Sequence, residues 1–302
     1  MNGHNPAGRN LWFVAFDTKT GDVAGMVSVM PKLFYLDGQP VDAGIMGDFV
    51  VAKKYRVFGP AMGLPKIALS ACKNAGLRVI YTLPNQESEM VVKRAGFDNT
   101  KVLGYFVKPV SSIHFLKGCT ACPIAVVGAR VVDLVFRLAS LDYLAISRGD
   151  VSEESSVDGT FDVLWETIKK TPHRLVGDHS AAYLHWRYFC NPLYRFRVIT
   201  LRRGPDLAGY MFFAIVDDRV EVYDIVAAKP RYVYRLVGKI SDIARKEHCK
   251  ALCVRLTKSD PMVRQLRLCL FLNGKDDVSL LVSSTDEVLY ERLGLSSGDR
   301  NI

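Results

Sequence analysis

The sequence has no run of about 18 uncharged apolar residues, the length a helix needs to cross a bilayer, so no transmembrane helix is expected. The opening MNGHNPAGRN lacks the apolar core of a secretory signal. Cysteine is scarce, seven in 302 residues, odd in number and scattered, which argues against a disulfide framework and for a reducing cytoplasm. One Cys-x-x-Cys pair occurs, Cys119 and Cys122. Neither a second pair nor a Cys/His pair at zinc spacing accompanies it, and no metal is expected. A glycine-flanked nucleophilic serine and a kinase-type phosphate loop are both missing, which sets aside two large enzyme classes.

Long blocks of one charge are also missing. The formal charge is +9, but Lys169-Lys170 and Arg202-Arg203 are among the longest basic runs. A weak contact with an anionic surface fits that distribution. The aromatic–basic stretch YLHWRYFCNPLYRFR resembles a base-stacking platform, yet its alternation places Trp186, Tyr188, Tyr194 and Phe196 in a core. No nucleic acid partner is expected.

What is present is an ordinary globular composition, 49% hydrophobic and 24% charged, arranged twice. AGLRVIYTLPNQESEMVVKRAGFDNTKVLGYFV from Ala75 aligns without a gap on KALCVRLTKSDPMVRQLRLCLFLNGKDDVSLLV from Lys250, and GDVAGMVSVM from Gly21 on PDLAGYMFFA from Pro205. The register changes where copy one has MPKLFYLDGQPV, read as a longer connection, and copy two the short turn VDDRV. Each copy reads as an alternating strand, a hairpin turned at Asp37-Gly38 or Asp217-Asp218, a third strand, a helix, a buried strand, a short helix and a last strand. This order predicts an α/β (α+β) chain of two tandem units, each a mixed, mostly antiparallel twisted sheet flanked by helices. Residues 1–118 form the first unit and 161–302 the second. The linker, 119–160, contains the amphipathic helix 123–146, expected to pack on both units.

The segment DFVVAKKYRVFGPAMGLPKIALSACK carries the chemistry. Small residues at Gly59, Ala61 and Gly63, between a strand and a helix, let a ligand approach the backbone. The helix start adds free amides and positive potential, which suit a pyrophosphate. Here the sequence resembles the GCN5-related N-acetyltransferase superfamily. The family motif (Gln/Arg)-x-x-Gly-x-(Gly/Ala) is matched by Arg56-Val57-Phe58-Gly59-Pro60-Ala61, followed by a strand, Asn85, a helix ending in Gly96-Phe97, and a final strand.

The resemblance implies that acetyl-CoA or another acyl-CoA lies in a splayed gap between the family's fourth and fifth strands, with no metal. Backbone groups of Phe49, Val50 and Val51 would hold the pantetheine. Arg56 and the turn Val57, Phe58, Gly59, Pro60, Ala61, Met62 and Gly63, through its backbone amides other than that of Pro60, would hold the pyrophosphate, and Asn85 would complete the site. The partner would be an amine acceptor, a small molecule or amino sugar, that attacks the thioester. Asp48 is the candidate base, with His114 behind it. Tyr105, or Tyr81, is the candidate acid, because the position where many members carry that tyrosine is Val92. In the gapless alignment Gly59 meets Tyr234 and Ala61 meets Leu236, so only the first copy is expected to hold the cofactor. Val92 and the barely ten residues before the first strand keep open an alternative: a catalytically inactive CoA-binding or structural module.

Overall fold

The computed structural model describes residues 5–56, 59–111, 127–128, 131, 133–135, 138–144 and 150–299. His114, Cys119, Cys122, Val57 and Phe58 lie outside them.

In β1 (Leu11–Phe16) alternation turns Phe13 and Ala15 towards a helix and leaves Trp12, Val14 and Phe16 exposed. β2 (Val23–Leu36) and β3 (Gln39–Val51) form a hairpin whose two turn residues, Asp37 and Gly38, both have positive φ, 51° and 82°. That is the mirror-image turn whose twist matches paired strands. MPKLFYLDGQPV is therefore not a longer connection. It is extra strand, paired from Met30↔Ile45 to Leu36↔Gln39. α1 (Pro60–Asn74), β4 (Val79–Thr82), α2 (Gln86–Arg94) and β5 (Asn99–Pro109) complete the first half.

After α3 (Leu141–Leu144) and β6 (Val151–Glu154) come α4 (Gly159–Ile168), β7 (Leu175–Gly177) and α5 (Ala181–Leu184). β8 (Arg197–Arg203), β9 (Asp206–Val216) and β10 (Arg219–Ala227) then repeat the first three strands, with the β9–β10 turn again at positive φ, Asp217 47° and Asp218 60°. α6 (Pro230–Lys246), β11 (Ala251–Thr257), α7 (Met262–Leu268), β12 (Leu272–Asn273), β13 (Val278–Ser284) and α8 (Glu287–Arg292) follow.

The strands form one mixed, mostly antiparallel sheet in the order β1-β2-β3-β4-β13-β5-β11-β10-β9-β8-β6, with β7 beside β2 and β12 beside β5. The halves exchange their last strands. β13 inserts between β4 and β5, and β5 pairs with β11. β3–β4 and β10–β11 are the parallel pairs. α1 packs on one sheet face over Val27, Val29, Met46 and Ile80, and α6 over Ile199, Met211, Val222 and Leu252. α4, α5 and α8 close a second core around Phe34, Tyr81, Phe212 and Val282. Trp186, Tyr188 and Phe196 are buried there, so the aromatic stretch is core.

Two expectations need correction. The described residues of the linker helix include Val127, Val131, Leu134, Val135 and Leu138, and all five are exposed rather than packed on the units. Nor do the halves match without a gap. Leu64 lies against Gly25 as Leu236 lies against Gly209, and Leu77 N donates to Cys72 O as Cys249 N does to Ala244 O, an offset of 172. β3 and β10 correspond at 176 (Ala43 pairs Val79 and Arg219 pairs Ala251), and β5 and β13 at 175 (Pro109 pairs Ala251 and Ser284 pairs Val79).

Candidate functional site

β3 hydrogen-bonds β4 only from Ala43 to Met46, while on its other side it stays paired with β2 as far as Val51. Gly47–Val51 therefore run past β4 with one edge unpaired by any strand among the described residues. The divergence is built in twice. The β2–β3 register shifts between Met26 and Ser28, a bulge that bends the strand, and β4 stops at Thr82, ahead of Pro84.

Asp48 sits at that bulge with φ 50°, and the buried Ser28 Oγ donates to its Oδ2 at 2.6 Å. The carboxylate is exposed and keeps acceptor capacity for an incoming proton. Phe49 packs partly under α1, Val50 is exposed and Val51 is buried. The Arg56 Nε–H donates to Val51 O at 3.1 Å, tying the β3–α1 loop to the strand end.

Gly59 caps α1 with φ 60° and ψ −80°, a backbone conformation only glycine adopts readily. Its carbonyl accepts from Met62 N at 3.1 Å and Gly63 N at 2.8 Å, and Pro60 fills the first helical position, where no N–H is needed. Ala61 faces the core and Met62 is exposed. A Cβ at Gly59 or at Gly63 would meet nothing within 4 Å. Glycine inside a helix costs about 1 kcal/mol relative to alanine. At Gly63 no packing requirement among the described residues explains that cost.

Asn85 is brought near none of these groups by any contact. It caps α2, its Oδ1 accepting from Ser88 N at 2.9 Å. Tyr105 belongs elsewhere: β13 separates its strand from β4, its hydroxyl donates to Glu221 Oε1 at 3.0 Å, and Arg255 stacks on its ring at 4.1 Å. Burial raises the affinity of that hydroxyl for its proton. The exchanged strand moves Tyr105 away from Asp48, which the sequence order alone does not reveal. Tyr81 is fully buried and donates to Asp299 O at 2.7 Å. Val92 lies in the core beneath α1.

In the second half Gly59 corresponds to Arg231 and Ala61 to Val233, in place of the Tyr234 and Leu236 of the gapless alignment. The connection from β10 to α6 is Ala228-Lys229, against residues 52–59 in the first half. The cradle is missing there because the loop is missing. The bulge persists, with Asp224 at the position of Asp48 and a register shift between Val222 and Asp224. Sequence reading overlooked Asp224. Its signal was an aspartate in the third strand of both copies, hidden by a one-residue slip.

No family model and no curated protein matches the sequence. Among solved structures, the chain is similar to a GCN5-related N-acetyltransferase from Anabaena variabilis, with 13% identity, TM-score 0.62, and 91% of this chain and 63% of that one covered. A conserved protein of Enterococcus faecalis described as a probable N-acyltransferase gives 11%, 0.59, 89% and 61%. Saccharomyces cerevisiae N-myristoyltransferase with bound myristoyl-CoA gives 10%, 0.56, 88% and 66%. The chain spans less than two thirds of the length of each of these three. Among the described residues no group of three or more His, Cys, Asp or Glu is placed to hold a metal ion, and no helix is long and apolar enough to cross a membrane. By its likeness to these neighbours the chain has the GCN5-related N-acetyltransferase fold.

Proposed function

We propose that the protein is a cytoplasmic N-acyltransferase that moves an acyl group, acetyl in the first instance, from acyl-CoA to a primary amine of a small molecule or amino sugar. In this reading the chain is a tandem of two units joined by residues 119–160, and only the first binds the donor. The observation that carries it is the conjunction of the strand-free edge of Gly47–Val51 with the open glycine cradle at the start of α1.

The pantetheine amides would pair with the strand edge, continuing the sheet into the cofactor. The pyrophosphate would take the space above Gly59 and Gly63, where free amide and helix dipole favour negative charge. Asp48, steadied by Ser28, accepts the proton of the attacking amine. General-base catalysis of this kind contributes about 10²–10⁴-fold. Val92 supplies no hydroxyl, so the thiolate departs without a fixed acid. That same observation favours a second reading, a module that binds CoA and does no chemistry.

Calorimetry with acetyl-CoA on the wild type and on Gly59→Tyr tests the donor site. Micromolar binding that the substitution abolishes supports it. Absence of wild-type binding sinks it. Turnover with an amine panel, compared with Asp48→Asn, then separates enzyme from module: the variant is expected to keep acetyl-CoA affinity and lose at least 100-fold in kcat.

A further inference from the structure

The two outer edges of the sheet are built differently. β6, at one end, is four residues long and carries Glu153 and Glu154, each held by an arginine of β8: Arg197 Nε lies 2.6 Å from Glu153 Oε1, and Arg202 Nε 2.8 Å from Glu154 Oε1. Short length and charge are the usual guards of a sheet edge. β1, at the other end, is the six-residue run LWFVAF, with no charge and no proline. Its outer edge pairs with no strand among the described residues. Trp12 is 52% exposed and Phe16 62%, with Val14 and the paired Val23 also exposed beside them. An edge of this composition is a template for another strand.

The internal repeat shows what kind of element belongs there. β8 holds in the second half the place of β1, and its outer edge is covered by β6, paired from Val151↔Leu201 to Glu154↔Val198. The first half has no counterpart of β6 among the described residues. The flanks of β1 indicate the occupant. Exposed Arg9 precedes the strand and Asp17 follows it. Asp17 accepts from the Tyr55 hydroxyl at 2.5 Å and from Lys19 N at 2.8 Å, and neither Arg9 nor Asp17 forms an ion pair among the described residues. In an antiparallel pair, opposed residues have the same hydrogen-bonding parity, so a strand that meets its own copy must centre on a residue. Centred on Phe13, Arg9 faces Asp17 of the second copy at both ends, Trp12 faces Val14 and Leu11 faces Ala15. Opposite charges and aromatic–β-branched pairs are favourable cross-strand combinations. Centring on Val14 would set Arg9 against Lys19, and centring on Trp12 would set both charges against alanines, Ala15 and Ala7.

We propose that β1 is a self-pairing edge: two copies of this chain join antiparallel through Leu11–Phe16, with the two-fold axis at Phe13, and one sheet runs through both molecules. Arg9 and Asp17 set the register, and Trp12 and Val14 supply the apolar cross-strand contact. An isologous interface of this kind is satisfied by two copies. The dimer leaves the charged β6 edges outermost, so growth stops there. The pairing lies on the far side of β2 from β3, so the edge of Gly47–Val51 stays open. The inference does not depend on the acyl-transfer reading.

Sedimentation of the full chain from micromolar to sub-millimolar concentration tests the proposal, with amide exchange read by mass spectrometry over the same range. The wild type is expected to pass from monomer to dimer as concentration rises, and exchange across residues 11–16 to slow as it does. Arg9→Asp turns attraction into repulsion at both ends of the interface and is expected to weaken association about tenfold. The double variant Arg9→Asp, Asp17→Arg restores the pairing with its sign reversed and is expected to recover association. Should loss of the Tyr55 hydrogen bond unfold the double variant, Val14→Lys takes its place. It puts a charge on an exposed side chain of the edge and is expected to keep the chain monomeric. A wild type that stays monomeric throughout overturns the proposal. So does a dimer indifferent to Arg9→Asp, a folded double variant that fails to recover association, or a dimer whose slowed amides lie outside β1, since each assigns association to another surface or register.

Discussion

Lys32 shows what a single residue costs this fold. It is 4% exposed and its Nζ donates to the Tyr183 hydroxyl at 2.9 Å, on the sheet face shared with Asp299 and the fully buried Arg187. Burial pushes its pKa down to about 7, Arg187 adds repulsion, and Asp299 offsets only part of this. The folded state therefore binds this proton less tightly than the unfolded chain, whose lysine titrates near 10.4. Between pH 7 and about 10.4 the unfolded chain holds the extra proton, so this group's contribution to stability rises with pH across that window and is flat below it. Lys32→Met should stabilise the protein at pH 7, and the gain should shrink towards pH 10. Denaturant titrations at the two pH values check it. A loss at pH 7 would show that the Tyr183 hydrogen bond outweighs the buried charge, and an equal gain at both would show that the gain does not come from the lysine's proton.

At the scale of elements, the contrast between the two crossings from third strand to helix isolates the cradle. The second half connects β10 to α6 through two residues, and the first half uses eight to connect β3 to α1. A deletion of residues 53–56 should therefore be geometrically admissible. It forfeits the exposed Lys54–Asp22 ion pair at 2.6 Å, the Tyr55–Asp17 hydrogen bond at 2.5 Å and the Arg56–Val51 hydrogen bond at 3.1 Å, none of them a core contact. The variant should stay folded by circular dichroism and lose acetyl-CoA binding. Retained binding would assign the cofactor to another part of the molecule. The repeated strands, the hairpin turns, the main helices and the Gly96-Phe97 pair after α2 were legible in the sequence, because each rests on local period or on residues that accept positive φ, whereas the polar stretch 148–159 reads as a flexible loop and yet holds β6. The offset between halves was not. A slip of three residues keeps a helix's apolar stripe nearly in phase. In a strand it swaps the faces, but β4 is buried on both and β11 almost so, leaving no alternation to object. The site was legible where it depends on glycine and on a bulge aspartate. It was illegible where it depends on pairing across the chain, which is why Tyr105 was misplaced.

At the scale of the whole molecule, the sheet runs through the point where the sequence divides. Every strand that pairs with β5 (β11, β12 and β13) belongs to the second half. A fragment of residues 1–118 would leave β5 unpaired and strip Phe106 of the cover it shares with Val254 and Phe271. Such exposed edges invite aggregation. The fragment is expected to be insoluble or unfolded and to bind no acetyl-CoA, and a fragment that folded with wild-type affinity would refute this. Thermal unfolding of the full chain is accordingly expected to be one cooperative transition, with CoA-binding and core signals lost together.

The exchanged strands also order events during synthesis. A nascent chain with β1 to β5 complete cannot yet close its own sheet. β5 must wait until β11 has left the ribosome, and β4 gains its second neighbour only with Ser284, near the end of the described chain. For most of translation the first half offers Gly47–Val51 and the flanks of β4 and β5 as open strand edges. The protein's dependence on chaperones should therefore follow the time taken to translate residues 110–284, so that slowing the ribosome there would lower soluble yield while leaving the finished molecule as stable as before.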